Sequence, residues 1–175
     1  MTKKAITINN PFGWYVASGL IDVENRSKPT NYRGPLLIHV NKEAFAWPEI
    51  DDCPDKVIDM VIEAMEDKTP YEQLPSMVKG YEDLCRYGEK KLGIRVSGDE
   101  ETAARLIAEA VKSREFPFVT SSVVGEVELV DCVKGFDSPW SAEGYYQYVF
   151  RNARLYDEPI RDVKGWLGIW NFGDD

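Results

Sequence analysis

The sequence predicts an α+β protein: a small closed or nearly closed β-barrel built from the two terminal segments, with an inserted helical block packed outside it. Three observations carry that expectation. Short strand-like runs with period two fill the first 42 residues. Apolar residues then recur at helical spacing through the middle of the chain, and strand-like runs return from residue 122. The charge follows the same division. Residues 1–42 carry six Lys/Arg against two Asp/Glu, residues 43–115 carry ten against eighteen, and residues 116–175 carry five against ten. The acidic part is therefore the helical part.

Taken in order, residues 4–8 form the first expected strand. Asn9-Asn10-Pro11 follows, and Pro11 is suited to open a short helix over residues 11–18, with Gly19 as its C-terminal cap. Residues 21–26 alternate Ile21 and Val23 against Asp22 and Glu24, the pattern of a strand. Residues 28–34 are a loop of turn residues, and residues 36–40 are a short, buried strand. Residues 54–67 place Val57, Ile58, Val61, Ile62 and Met65 on one helical stripe. Residues 75–92 repeat that pattern more weakly. Residues 99–114 form the clearest helix, with Ala103, Leu106, Ile107, Ala110 and Val111 on one face and Ser97 or Asp99 as its cap. Residues 122–133 are a long strand with Glu126 and Glu128 on one face and Val127 and Leu129 on the other. Ser138-Pro139-Trp140 lies in a loop. Residues 145–150, 153–156 and 166–172 close the set as three further strands.

At 175 residues the chain is expected to be one domain, residues 1–175, with the acidic insertion at about 43–121. Its 43% hydrophobic and 29% charged content is that of a soluble globular protein. No apolar run approaches the ~20 residues that cross a bilayer, and the first residues carry no signal-peptide pattern. The expectation is a cytoplasmic protein with no membrane partner. Cys53, Cys85 and Cys132 lie far apart without a CxxC pair, which argues against a disulfide framework or zinc ribbon. The formal charge of −9 argues against a basic groove along a duplex, but it leaves room for a pocket taking one nucleotide.

Few motifs carry chemistry. Gly165-Trp166-Leu167-Gly168 lacks both the P-loop and the GxGxxG spacing. One histidine, His39, excludes a multi-His metal site, and no metal or cofactor is expected. Within the apolar strand His39 reads either as a hydrogen-bonded structural residue or as part of a site. The stretch "GLIDVENRSKPTNYRG" is the most informative. Glu24 and Arg26 project to the same face of a strand, where a carboxylate and a guanidinium make either a structural ion pair or the polar floor of a ligand site. Trp14 before this strand, Tyr32 after it, and Trp140, Tyr148 and Trp170 from the C-terminal segments supply rings. Aromatic faces with an arginine are the usual means of stacking an unpaired base.

At these residues the chain resembles a known family. "ITINNPFGWYVASGLIDVENRSKPTNYRGPLLIHVNK" is similar to the start of ASCH domains, of the PUA-like superfamily, whose signature is G-x-K-x-x-E-x-R. Gly19, Glu24 and Arg26 match it, and Ile21 stands at the lysine position. "VVGEVELVDCV", "SPWSAEGYYQYVF" and "GWLGIW" look like the family's closing strands. The resemblance covers roughly residues 4–42 and 122–172. It implies a PUA-like β-barrel with a cleft near the signature that binds RNA or a modified base. Some members hydrolyse RNA or an acylated cytidine using the signature lysine, and the acylcytidine enzymes carry threonine where this chain has Glu24.

The resulting expectation is a nucleic-acid or modified-nucleotide-binding module that recognises single-stranded RNA or a base in a cleft. Glu24 would accept hydrogen bonds from a base edge. Arg26 and Arg33 would hold phosphate or orient Glu24, and Trp14 or Trp140 would stack the base. Tyr32, His39, Lys42 and Lys164 complete the candidate ligand-binding set, and Lys28, Lys42 and Lys164 are candidates to replace the missing signature lysine. The first alternative is a small ribonuclease or amidohydrolase on a modified nucleoside, with Glu24 as general base. The second is an adaptor that binds protein through its acidic helices.

Overall fold

The computed structural model describes residues 3–10, 12–42 and 119–173, together with positions 59, 63, 67–74, 79, 80 and 86. Six strands form one mixed sheet: β1 (Lys3–Ile8), β2 (Val23–Arg26), β3 (Gly34–Val40), β4 (Ser122–Val133), β5 (Tyr146–Ile160) and β6 (Ile169–Phe172), in the order β2-β5-β4-β3-β1-β6. A short helix, α1 (Phe12–Ser18), connects β1 to β2. β1 pairs in parallel with β3, whereas the β1–β6, β2–β5, β3–β4 and β4–β5 ladders are antiparallel. Among the described residues no helix is long and apolar enough to cross a membrane.

The sheet is curled. Three strands separate β2 from β1 in its order, yet the Arg26 guanidinium on β2 donates to the Thr7 carbonyl on β1 at 2.7 Å. The sheet is thus a half-barrel, and the expected barrel-like architecture holds at that level. Strand alternation decides its filling. Ile6, Ile8, Leu36, Ile38, Val127 and Leu129 turn inward onto Trp14, Tyr15, Val16 and Leu20 of the α1 segment and form the main core. The other face carries a smaller cluster in which Ala5, Leu37 and Val123 are covered by Tyr156, Val163, Trp170 and Phe172. Each fully buried aliphatic or aromatic side chain of this kind contributes about 1.5–3 kcal/mol.

Several element boundaries match the sequence reading closely. Gly19 has φ +83°, the left-handed conformation of a helix C-cap. Glu126 and Glu128 leave the core while Val127 and Leu129 enter it. Two expectations need correction: the strand expected over 166–172 is only Ile169–Phe172, and residues 145–150 and 153–156 are not two strands but parts of the single 15-residue β5. The apparent break falls at Asn152, whose φ of +54° marks a bulge, and the β4–β5 register slips beside it, Glu126 pairing with Arg154 and Glu128 with Arg151. The helical block expected at about 43–121 lies almost wholly outside the described residues. The complete helical elements among the described residues are α1 and a single 3-10 turn, Tyr71–Gln73. Gly80 is buried against the Gly19–Leu20 backbone, so at this point the long β3–β4 connection touches the end of α1.

Candidate functional site

β6 pairs with β1 only along Lys3–Ile6, which leaves the last residues of β1 without a neighbour on that side. β2, the opposite edge of the sheet, curls round to face them. A cavity of about 200 Å³ lies in this seam. Its floor is Thr7, Ile8 and Asn9 at the end of β1. One wall is Glu24 and Arg26 on β2, the other is Trp166, Leu167 and Gly168, and Phe12 stands at the start of α1. Phe12 is 47% exposed, Trp166 50% and Leu167 97%, so the rim is apolar and open to solvent.

The polar wall follows from strand period two, which puts Glu24 and Arg26 on one face. Arg26 Nη2 lies 3.1 Å from Glu24 Oε1 and also donates to the Thr7 carbonyl. One guanidinium nitrogen therefore joins the two edges of the half-barrel, while Arg26 Nε is buried with no hydrogen-bond partner. Burial pushes the Glu24 carboxyl above its ordinary range, and the positive charge of Arg26 opposes that shift less strongly. The site thus holds a partly desolvated carboxylate that gains from a hydrogen-bond donor, beside a fixed cation.

The aromatic wall comes from a segment that the sequence reading took for a failed phosphate motif and for the start of a strand over 166–172, whereas β6 begins only at Ile169. Residues 161–168 cross from β5 to β6 as a strap. Lys164 Nζ sits 4.4 Å from the centroid of the Trp166 ring, a cation–π contact that holds the ring at the rim. The strap is pinned at Val163, whose N–H donates to the Ser121 carbonyl at 2.8 Å and whose carbonyl accepts from His39 Nε2 at 2.9 Å.

The structure brings together some of the expected site residues and separates others. Glu24 and Arg26 line the cavity, and Lys164 reaches its rim through Trp166. Trp14 does not; it is fully buried in the main core. Trp140 packs on that core from the loop after β4, its carbonyl accepting from Asn25 Nδ2 at 2.9 Å. Tyr32 donates to the Pro35 carbonyl at 2.6 Å, and Arg33 pairs with Asp131 at 3.1 Å near the far end of β4. His39 is 2% exposed and sits beside Thr7 in the β1–β3 register, beneath the strap. Lys42 and Lys28 are exposed and line no part of the cavity. Ile21, at the position of the signature lysine, is 4% exposed and part of the core. Of the lining residues, sequence reasoning put forward only Glu24 and Arg26; the end of β1 (Thr7, Ile8, Asn9), Phe12 and, on the strap, Leu167, Gly168 and Trp166 were missed. The Gly165-Trp166-Leu167-Gly168 run, with glycines bracketing a tryptophan at the start of the expected 166–172 strand, was the available signal for the last.

Comparison with protein-family models gives no match, and no curated protein is significantly similar to the chain.

Proposed function

We propose that this chain is a nucleotide-binding or single-stranded RNA-binding module of PUA-like, ASCH type, with one base seated in the seam between β1 and β2. The observation that carries this reading is the joint lining of one open cavity by Glu24, Arg26, Phe12 and Trp166. A base presents a flat face and a hydrogen-bonding edge. Trp166 and Phe12 offer apolar ring surface for the face, and stacking of this kind is worth about 1–3 kcal/mol per base. Glu24 offers an acceptor for an exocyclic amine or ring N–H, and Arg26 supplies the adjacent donor. The inserted acidic block keeps long duplexes away and leaves a short ligand as the preferred one.

Binding is favoured over turnover because the signature lysine is replaced by Ile21, a core side chain that neither moves a proton nor stabilises an oxyanion. Loss of one such group typically costs about 10²–10³ in rate. The test is binding of the four nucleoside monophosphates and short single-stranded RNA oligonucleotides by fluorescence anisotropy or thermal shift. Micromolar or tighter binding that weakens with salt, is lost in Glu24→Gln and Trp166→Ala, and proceeds without product formation is the expected result. Efficient metal-independent hydrolysis abolished by Glu24→Gln would replace this reading with the enzyme.

A further inference from the structure

His39 is the one histidine of the chain. Its hydrogen bond to the strap is to a carbonyl, which only accepts, so the imidazole proton sits on Nε2 and the lone pair on Nδ1. Nδ1 is buried and has no partner. It is covered by the strap itself: a Cβ added to Gly165 would lie 2.3 Å from His39 Cε1, 2.5 Å from Nδ1 and 2.8 Å from Thr7 Oγ1, so only glycine lets the backbone pass here. Thr7 Oγ1 accepts from Trp170 Nε1 at 3.2 Å, and the Trp170 ring meets the imidazole edge-on at 5.8 Å.

We propose that His39 and the strap form a proton-operated latch, His39 acting as a positioning residue that sets the Trp166–Gly168 wall of the seam cavity. The latch regulates the site assigned above and, as a statement about ligand affinity, rests on that assignment. Acid adds a proton to Nδ1 and creates a buried cationic N–H with no acceptor, which is costly. Relief comes from water, and the strap over Nδ1 must lift to admit it. The Val163–Ser121 backbone bond does not involve the imidazole, so movement is confined to the residues between Val163 and β6. These are the residues that carry the cavity wall.

The groups packed around the ring are uncharged, and the strap is the part of this cover that lies over Nδ1. Thr7 faces it from β1, Trp170 from β6, Val163 and Gly165 from the strap, and Val123 stands opposite on β4. Burial holds the imidazole below its ordinary value of 6.5 and the Val163 carbonyl opposes that shift; no ionised side chain contributes. Asp162 and Lys164, which flank Val163, are exposed, and Lys164 is engaged with Trp166.

The free protein tests the latch without any ligand. The emission of Trp166, taken as the difference between wild type and Trp166→Phe, is followed from about pH 8 to pH 5, the range in which histidine titrates. The expected result is a shift toward water-exposed emission on acidification, absent in His39→Gln, whose side-chain amide donates to Val163 but does not titrate. Gly165→Ala is expected to show the acid-like emission at every pH, and circular dichroism checks that each variant is folded. An unchanged Trp166 signal in wild type, an equal response in His39→Gln, or a native signal in Gly165→Ala overturns the latch. The same pH series with the nucleoside monophosphates is expected to show affinity falling about tenfold in wild type, within the range that an unpartnered buried donor costs, and staying level in His39→Gln. If Trp166 responds to pH as expected and no nucleotide binds at any pH, the base-binding assignment fails and the latch stands.

Discussion

Arg26 is the residue on which site and scaffold meet. Its Nη2 holds both the Glu24 carboxylate and the Thr7 carbonyl, so it cannot be removed as a ligand contact alone. Arg26→Ala is expected to destabilise the fold by about 1–3 kcal/mol through the groups left unpaired. That is a fall of about 2–4 °C in melting temperature for each kcal/mol at this size. Arg26→Lys keeps the charge but not the fork and should recover part of the loss; a melting temperature unchanged in Arg26→Ala would show that the seam does not depend on it. Glu24→Gln separates the two roles. In the folded chain burial raises the Glu24 carboxyl above the ordinary 4.5, so the native state holds this proton more tightly than the unfolded chain does. The stability contributed by Glu24 is therefore full below pH 4.5 and is lost as pH rises through the raised folded value. Urea unfolding of wild type relative to Glu24→Gln should show this decline, and a rise over the same window would contradict the burial argument. The pairing of Glu24 with Arg26 was legible because period two dictates it. The partners across the cavity were not, because Trp166 and Phe12 arrive from a strap and a helix start with no shared periodicity.

At the scale of elements, the β4–β5 ladder is the longest in the sheet, and its outer face is tied by a small network. Arg154 Nε and Nη2 donate to Glu126 Oε1 at 2.9 and 2.7 Å, and the Tyr156 hydroxyl donates to Glu126 Oε2 at 2.8 Å. The Glu126 carboxyl is held below its ordinary range, chiefly by the Tyr156 hydrogen bond and then by that from Arg154. Tyr156 is pushed up to about 12, first by burial and then by its bond to Glu126. Tyr156→Phe should cost about 1 kcal/mol at neutral pH. Because the folded phenol is raised, its contribution persists below pH 10.0 and fades as pH climbs toward 12. The difference in phenolate absorbance between wild type and Tyr156→Phe checks this, and a titration near 10 would show that Glu126 does not hold the hydroxyl. The same strand shows where local reading fails. Arg151-Asn152 interrupts the alternation and reads as the end of a strand. In three dimensions Asn152 takes a left-handed conformation that absorbs one extra residue, and its side chain donates to Glu128 Oε2 at 2.8 Å. A bulge and a strand end look alike in sequence, since both break period two, and only the partner strand distinguishes them.

For the whole molecule, sequence periodicity captured the strands that bury a face and the curled architecture they build, because alternation and burial are the same fact seen in one and three dimensions. It did not capture closure. Nothing in residues 3–8 announces that β6 will stop short of Thr7 and Ile8 at the end of β1, yet that shortfall creates the cavity. A sheet completed by strand pairing is tied along its whole length, whereas among the described residues this one is fastened at the seam by a single guanidinium. The amide groups bordering the seam are therefore expected to exchange with deuterium through small, frequent openings, while those at the centre of β3 and β4 exchange only on global unfolding. Uniform protection from β2 to β6 would contradict this. A ligand that spans Glu24 and Trp166 would slow exchange most at the seam, far more than its contact area suggests, because it would act as the missing stitch between two edges and convert an open trough into a ring.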